Sequence, residues 1–436
     1  MKRILLNSLV IIFLLIDIIL FVLSQKIPFD TTAPKAQVKQ EDDTVIRVAR
    51  RNYSNSSAFA RLIDDYNQNN QDKIRIEMVG LSDSNFQTEL NYLMTSSEEP
   101  DIMNIDSDWI RTYIEKGWLV DLKPYIREEL LGSKTKEVTD YLSAYTLNGA
   151  IYVFPTSFTT YRLMYNIDLF QQYGLSAQGP TTFHDIIDSA EHISKMGKDK
   201  NVFGLVLPMK DALEGFKKNL EIPCTKSDIN YYNPKTGKVD FLVYSDWFYA
   251  ISDLIYRNII MPGYESIDMN LALNQFAERN VGMVYVSSED YPTIQSLYKN
   301  EDHWKIILPP DDKETKSDLM MTYSSYYGIS RRSKNLDQAI VVWNYLNSKE
   351  FNMALFSQGE CLPINYKAWD LSADKNLDPM LEAFLPVQQE TIYPVYGPEA
   401  ENIHRINTYL NCLKQKADIN DLLLRENYYV RKNPSK

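Results

Sequence analysis

The side chains best suited to catalysis or metal binding are sparse and poorly spaced. The four histidines lack the HExxH spacing and any other close metal-pair spacing; they are His184, His192, His303 and His404. His184 and His192 fall about two turns apart on one predicted helix, too far apart to share a metal ion. We expect these two residues to be solvent-exposed. The sequence therefore predicts no metal site and no cofactor.

Two pairs of neighbouring carboxylates are candidates for acid–base chemistry such as glycoside hydrolysis: Asp106 with Asp108, and Glu289 with Asp290. Adjacent side chains on an extended segment point to opposite faces, so solvated loop charge is the simpler interpretation. The chain also lacks a GxSxG elbow, a Walker-type loop and a Rossmann glycine fingerprint. These observations predict a protein that is not an enzyme.

Aromatic residues are abundant, with 30 Tyr and 6 Trp. Tyr and Trp combine a flat apolar face with a polar group, a combination that suits stacking on sugar rings while hydroxyls form hydrogen bonds. Most of these aromatics must nevertheless build the core. Their number alone does not define a binding site.

Length and charge limit the possible classes of protein. A chain of 436 residues is long enough for two lobes with separate cores. The formal net charge of −12 argues against nucleic-acid binding, which requires clustered Lys and Arg. The three cysteines, Cys224, Cys361 and Cys412, are far apart without a CxxC motif, and we expect them to be small buried hydrophobic residues.

The N-terminus carries an apolar segment from residue 4 to residue 23, after Lys2 and Arg3. As a helix it is long enough to cross the apolar layer of a membrane, which is about 30 Å thick. It is a signal peptide or a membrane anchor, and its length favours the anchor. The preceding positive charge predicts that the rest of the chain lies outside the cytoplasm. Residues 24–43 are polar and form an extended tether.

From Thr44 onward, strand-like and helix-like patterns alternate. The runs TVIRVARR, KIRIEMVG and PDIMNIDS resemble strands, and two amphipathic helical runs separate them. This β-α-β-α-β order predicts a mostly parallel sheet, with ligands at the carboxyl ends of its strands. The loops that begin at Arg50 and Asp106 are therefore the expected edges of a site. The second half continues the alternation, with a helix in TTFHDIIDSAEHISKMG and a strand in VGMVYVSS.

One long stretch resembles a known family. The run GAIYVFPTSFTTYRLMYNIDLFQQYGL, followed by GPTTFHDIIDSAEHI, is similar to the extracellular solute-binding proteins of ABC transporters, in the family that includes maltose-binding protein. Further similar segments follow in the family's order, so the resemblance covers Thr44 to about Tyr429. Two features depart from the family pattern: Ser287, Ser288 and Glu289 replace a common Gly-x-Trp, and no lipid-anchor cysteine ends the apolar segment.

The resemblance implies a two-lobed α/β fold of the periplasmic-binding-protein type, class II, after an N-terminal apolar helix. Residues 44–155 plus 328–375 would form lobe 1, and residues 156–327 plus 376–430 lobe 2. Within this scheme, Pro155 to Tyr161 would cross between the lobes. A small-molecule ligand, expected to be a saccharide, would lie in the cleft, and hinge closure would present it to an ABC permease. The protein would act as a monomer outside the cytoplasm, either tethered to the membrane or secreted.

The same resemblance suggests which side chains contact the ligand. In lobe 1 these are Arg50, Arg51, Tyr53, Asp106, Asp108 and Trp109. In lobe 2 they are Ser157, Phe158, Tyr161, Ser287, Ser288, Glu289, Tyr323 and Tyr326, with Tyr396 as a late aromatic. Charged members would form hydrogen bonds to sugar hydroxyls, and Trp109 would either stack on a ring or belong to a helix core. Tyr323 and Tyr326 face the same cleft only if the backbone bends between them.

Two alternatives remain open. An anchored sensor would bind the same ligand but pass closure to a transmembrane receptor, and the N-terminal segment favours this version. An extracellular carbohydrate-active enzyme would need an acid–base pair that the sequence does not show. Neither the ligand nor the transport partner is identified by the sequence.

Overall fold

A computed structural model describes residues 43–51, 53–55, 57–82, 85–126, 146–147, 149–211, 215–221, 232–233, 238–298, 303–310, 319–364, 378–386, 390–392, 410, 413 and 418–432. Thr44–Lys436 form one compact unit. The apolar segment at 4–23, most of the tether, Cys224, Cys412 and Tyr396 lie outside the described residues. Within those ranges no helix is both long and apolar enough to cross a membrane.

The elements follow in chain order. The first half contains β1 (Thr44–Arg51), α1 (Ala58–Asn69), β2 (Ile74–Leu81), α2 (Phe86–Thr95), β3 (Ile102–Ile105), α3 (Ile110–Glu115), β4 (Thr146–Leu147), β5 (Ala150–Ile151), β6 (Phe154–Thr159), β7 (Tyr161–Asn166), α4 (Ile167–Gln172), α5 (Phe183–Gly197) and β8 (Phe203–Val206). The second half contains β9 (Tyr232–Asn233), β10 (Lys238–Val239), α6 (Ser245–Tyr256), α7 (Met269–Ala277), β11 (Val281–Ser287), α8 (Tyr291–Leu297), β12 (Trp304–Ile307), β13 (Leu319–Ile329), α9 (Leu336–Leu346), α10 (Lys349–Phe356), β14 (Leu362–Pro363), α11 (Pro379–Glu382), β15 (Glu390–Ile392) and α12 (Ile419–Lys432).

The larger sheet begins with the predicted β-α-β-α-β unit. β1 pairs in parallel with both β2 and β3, which confirms the expected parallel core. β6, β13 and β14 complete the sheet in the order β14-β6-β13-β3-β1-β2, and β15 pairs with β13. Ser57 caps α1 by accepting a hydrogen bond from the amide of Ala60 at 3.1 Å.

A second sheet contains four strands in the order β12-β7-β11-β8. β7 is antiparallel to both β11 and β12, whereas β8 is parallel to β11. Thr182 and Asp185 form a capping box at the start of α5, as the sequence TTFHD predicts. His184 and His192 on this helix are exposed, which confirms their expected position.

Apolar side chains bury both faces of the second sheet. Leu205, Ile251 and Met283 belong to a core on one face, between the sheet and α5 and α6. Val284 and Val286 face the other way and join the core that is shared with the larger sheet. The alternation of inward and outward side chains along β11 produces this division.

The change from one sheet to the other occurs later in the chain than we predicted. The crossing is expected from Pro155 to Tyr161, but Phe154–Thr159 is a strand that pairs with β13 and β14 in the larger sheet. Tyr161 begins pairing in the second sheet. Thr160 is therefore the residue between the two sheets, because backbone pairing continues on both sides of it. The limits of the two lobes otherwise remain a prediction.

Candidate functional site

An ion pair links the two predicted site edges of the larger sheet. Arg51 ends β1 and Asp106 directly follows β3, and these neighbouring parallel strands end at the same edge. The Nη1 atom of Arg51 donates to both carboxylate oxygens of Asp106 at 3.1 Å. Both side chains are partly exposed, at 26% and 35%. The edge thus offers a charged, solvent-accessible hydrogen-bonding surface.

Asp211 approaches the same guanidinium from the second half of the chain. Its carboxylate lies 4.0 Å from Nη2 of Arg51, and its side chain is 56% exposed. Asp211 follows β8 of the second sheet, so the contact joins the edges of both sheets. Asp211 is not among the predicted contact residues, because no motif distinguishes it from other loop carboxylates in the sequence.

Arg50 and Tyr53 contact the same aromatic ring. The Arg50 guanidinium lies 3.9 Å from the centre of the Phe59 ring, a cation–π distance. Tyr53 meets Phe59 edge to face, with ring centroids 6.4 Å apart. Burial raises the pKa of the Tyr53 phenol, so the group stays neutral at physiological pH.

Asp108 and Trp109 lie in a 3₁₀ turn that Asp106 begins. The side chain of Asp108 lies outside the described part of the structure. Trp109 is half-buried and packs against the larger core, in agreement with one of its two expected roles. The turn holds Asp106 through the bond that the Trp109 amide donates to the Asp106 carbonyl at 3.0 Å.

β6 and β13 continue as a paired ribbon beyond the end of β3, and β14 pairs with the other side of β6 at Ser157 and Phe158. Tyr326 stands opposite both Ile105 and Pro155, and the ribbon runs on to Thr159 paired with Thr322. Four residues of strand span about 13 Å. The ribbon therefore reaches from the larger sheet towards the second one.

The ribbon's predicted contact residues differ in exposure. Ser157 is buried and its hydroxyl lies 3.0 Å from that of Ser324. Phe158 and Tyr326 are each 1% exposed and belong to the larger core. The side chain of Tyr323 is not among those described. A ligand role for these residues stays a prediction.

Ser325 bends the ribbon between Tyr323 and Tyr326. Its φ of 54° lies in the left-handed region, which is costly for a residue with a Cβ. The hydroxyl of Thr156 donates to the Ser325 carbonyl at 3.0 Å and stabilises the turned backbone. The backbone is thus irregular between the two tyrosines, and a shared position of both at a cleft stays a prediction.

The predicted residues after β11 contact the point where the chain changes sheets. Ser288 exchanges hydrogen bonds with Thr160: its amide donates to the Thr160 carbonyl at 2.9 Å, and its hydroxyl accepts from the Thr160 amide at 3.2 Å. The Glu289 carboxylate accepts from the hydroxyl of Thr159 at 2.8 Å. The Tyr161 hydroxyl lies 3.0 Å from that of Thr322 on β13. These bonds join β6, β7, β11 and β13.

Asp290 bonds both to Ser287 at the end of β11 and to Lys218. It accepts from the amide and hydroxyl of Ser287, at 2.7 and 3.1 Å. It also pairs with Lys218 at 2.8 Å, and these two side chains are only 11% and 10% exposed. Lys218 belongs to a short π-helix, Lys217–Glu221. Ser287 is therefore held in place by a nearly buried ion pair.

Contacts link only some of the predicted residues. Arg51 pairs with Asp106, Arg50 and Tyr53 share the Phe59 ring, and Ser288 and Glu289 bond the Thr159–Thr160 segment. Their role as ligand contacts stays a prediction. The partners Thr159, Thr160, Arg162, Asp211 and Thr322 were missed. The mostly polar run Thr156–Thr160 is the sequence feature that could have indicated Thr159 and Thr160. The described residues contain no group of His, Cys, Asp and Glu arranged to hold a metal ion.

Solved structures share the fold across most of the chain. The GacH receptor of Streptomyces glaucescens, solved unliganded and with acarbose, superimposes with a TM-score of 0.73 at 16% identity, covering 89% of this chain and 98% of that one. A Thermotoga lettingae ABC transporter solute-binding protein with α-D-tagatose gives 0.71 at 16% identity, covering 90% and 99%. These similarities confirm the two-lobed α/β fold.

Sequence comparison places the chain in a family. A Brucella abortus protein named as a binding protein is 22% identical over 285 residues, or 62% of this chain. The match spans 64% of the length of that relative. The model of the family described as "Bacterial extracellular solute-binding protein" matches residues 52–353, well over half of the chain. The protein belongs to the family of bacterial extracellular solute-binding proteins.

Proposed function

We propose that the protein binds a saccharide between its two lobes and delivers it to an ABC importer. The observation that carries this proposal is the contact of Arg51 with Asp106 and Asp211, which brings charged groups from both sheets to one place. Guanidinium and carboxylate groups form strong hydrogen bonds to hydroxyls. Structural relatives were solved with acarbose and with α-D-tagatose, which supports a saccharide as the ligand class.

Closure of the lobes is the proposed mechanism. The sheets are joined at Thr160, and Ser288 and Glu289 contact this crossing directly. A rotation about so few residues changes the separation of Arg51 and Asp211 while each sheet keeps its own pairing. Ligand bound between the lobes would then favour the closed form by its contacts with both.

The proposal includes the remaining functional expectations. The protein acts as a monomer that presents bound ligand to permease subunits, without a catalytic step of its own. Family membership implies an extracytoplasmic location, and we propose that residues 4–23 tether it to the membrane unless they are cleaved. That segment also favours a second candidate, a ligand-sensing component of a receptor. Co-purification from membranes with a permease or with a histidine kinase separates the two candidates.

Thermal-shift measurements with a saccharide panel test the binding proposal. Suitable probes are acarbose, maltose, D-tagatose, D-mannitol and cycloalternan. A ligand present at 100 times its Kd stabilises the folded state by about 2.7 kcal/mol, so the melting temperature should rise. If no saccharide raises it at millimolar concentration, the sugar-binding proposal is wrong.

A paired substitution locates the site. Asp106→Asn should weaken saccharide binding about tenfold or more, because a charge-assisted hydrogen bond is lost. The control is Asp253→Asn, which breaks an ion pair at 2.8 Å between Asp253 on α6 and Arg257 directly after this helix. Equal affinities for the two variants would exclude Asp106 from the site.

A further inference from the structure

A buried arginine follows the crossing between the two sheets. Arg162 is the second residue of β7 and is 1% exposed. Its guanidinium donates hydrogen bonds to the carbonyl oxygens of Ala383 and Leu385 at 2.8 Å, and to that of Phe384 at 3.3 Å. A further bond of 2.8 Å reaches the carbonyl of Tyr161. The side chain of Arg162 thus holds the distant segment Ala383–Leu385 against the start of β7.

The chemistry of this contact makes it difficult to replace. A buried guanidinium is unfavourable unless hydrogen-bond acceptors replace the lost water. The residues that directly follow α11 supply such acceptors through the backbone carbonyls of Ala383, Phe384 and Leu385. Arg offers five donors in a fixed planar arrangement, whereas Lys offers a single compact charge. Substitution by Lys therefore keeps the charge and loses the pattern of bonds.

A second contact ties the same segment to the crossing. The Thr160 hydroxyl donates to the Phe384 carbonyl at 2.6 Å. Thr160 is 0% exposed, and its backbone also bonds Ser288. Phe384 is therefore joined both to the residue between the sheets and to β7.

The opposite end of the segment is fixed to α8. Asp378 accepts from the hydroxyl of Tyr291 at 2.7 Å and from the amide of Gln295 at 2.9 Å. Residues 378–386 are thus held at one end by α8, which follows β11, and near the other end by Arg162 on β7. β15, the next strand described, pairs with β13 in the larger sheet. The next described strand of the chain therefore belongs to the larger sheet.

We propose that Arg162 is a positioning residue of the hinge. It holds Ala383–Leu385 against β7, so that this segment turns together with Thr160 and Ser288 as one body. The inference rests on the proposed closure of the lobes around a saccharide. Without Arg162 the lobes sample a wider range of orientations, the closed form is less favoured, and bound ligand escapes faster.

Dissociation kinetics test this role. The probe is the panel saccharide that binds the wild-type protein most tightly, followed by stopped-flow tryptophan fluorescence. Arg162→Lys should raise the dissociation rate constant about tenfold, in proportion to the lost bonds of a charged group. Thr160→Val, a change of nearly equal volume that removes the bond to Phe384, should raise the dissociation rate constant about threefold. This variant tests the inference if the Arg162→Lys protein does not fold.

Asn352→Ala is the matched control. Asn352 is also buried, at 4% exposure, and bonds the carbonyls of Leu346 and Ser348 at 3.1 and 2.9 Å. It lies on α10 beside α9, so its loss should lower the melting temperature without changing the dissociation rate. The inference is overturned if wild type binds and both hinge variants dissociate like this control. Absence of saccharide binding by the wild type contradicts the proposed function instead.

Discussion

Two local features stabilise the segments near the candidate site: a left-handed backbone at one residue and a nearly buried ion pair. Ser325 is the clearest example, because its left-handed backbone bends β13 where the ribbon passes towards the second sheet. The ion pair between Lys218 and Asp290, next to Ser287, is a second example. Because it is nearly buried, either charge without its partner would be unfavourable. Each feature makes a prediction that a single substitution can test.

Ser325→Gly should increase the free energy of unfolding by about 0.5–1 kcal/mol. Glycine adopts the left-handed region without steric cost, and this gain exceeds its greater entropy loss. Ser324→Gly is the control: this residue has no positive φ, and its hydroxyl contacts Ser157. The control should lose about 1 kcal/mol in chemical denaturation. A loss in both variants would show that the bend carries no strain.

Lys218→Met should lower the free energy of unfolding by about 3 kcal/mol, because it leaves Asp290 without its cation in a nearly buried position. The corresponding surface change is Lys210→Met, which removes a pair with Asp268 whose side chains are 61% and 45% exposed. That variant should lose less than about 1 kcal/mol. Urea denaturation of both proteins gives the comparison, and similar losses would contradict the structural role assigned to Lys218.

At the scale of elements, the periodicity of apolar residues predicted both sheets well. The runs beginning at Thr44 and Ile74 became parallel strands because alternate apolar side chains bury one face. The crossing expected from Pro155 to Tyr161 lies later, because Phe154–Thr159 pairs as a strand with β13 and β14 despite its polar residues. Arg162 was overlooked for a related reason. A charged residue in an apolar strand suggests an exposed side chain, and its carbonyl partners lie more than 200 positions away.

The capping box of α5 provides a prediction about acid stability. The hydroxyl and amide of Thr181, together with those of Thr182, hold the pKa of Asp185 below its ordinary value. The ionised carboxylate therefore stabilises the folded state above the unfolded pKa near 4, and this stabilisation is lost as the pH falls through the lowered folded pKa.

Asp185→Ala should cost about 1 kcal/mol at neutral pH. The difference from wild type should begin to shrink below about pH 4, where the carboxylate of the unfolded chain becomes protonated, and it should vanish once the pH falls below the lowered pKa of the folded state. Asp188→Ala, at an exposed position on the same helix, should leave the pH profile unchanged. Melting temperatures from pH 3 to pH 7 measure this effect, and a difference that persists undiminished at pH 3 would rule out the carboxylate as its source.

At the scale of the whole molecule, two sheets are joined through a few hydrogen-bonded residues at Thr160, Ser288 and Phe384. Arg51 and Asp211 extend towards each other from the edges of these sheets. We propose that this arrangement permits rotation of the lobes while each sheet keeps its own strand pairing. The fold was predictable because strand-like and helix-like patterns alternate along the sequence. The partners within the site were less predictable because they come from separate segments.

Small-angle X-ray scattering during saccharide titration tests the central claim most directly. The radius of gyration should fall in a saturable manner as the best-binding panel saccharide is added, and Asp106→Asn should shift the midpoint to a higher concentration. A radius of gyration that stays constant at saturating ligand, as established by thermal shift on the same sample, would contradict closure of the lobes around a bound saccharide.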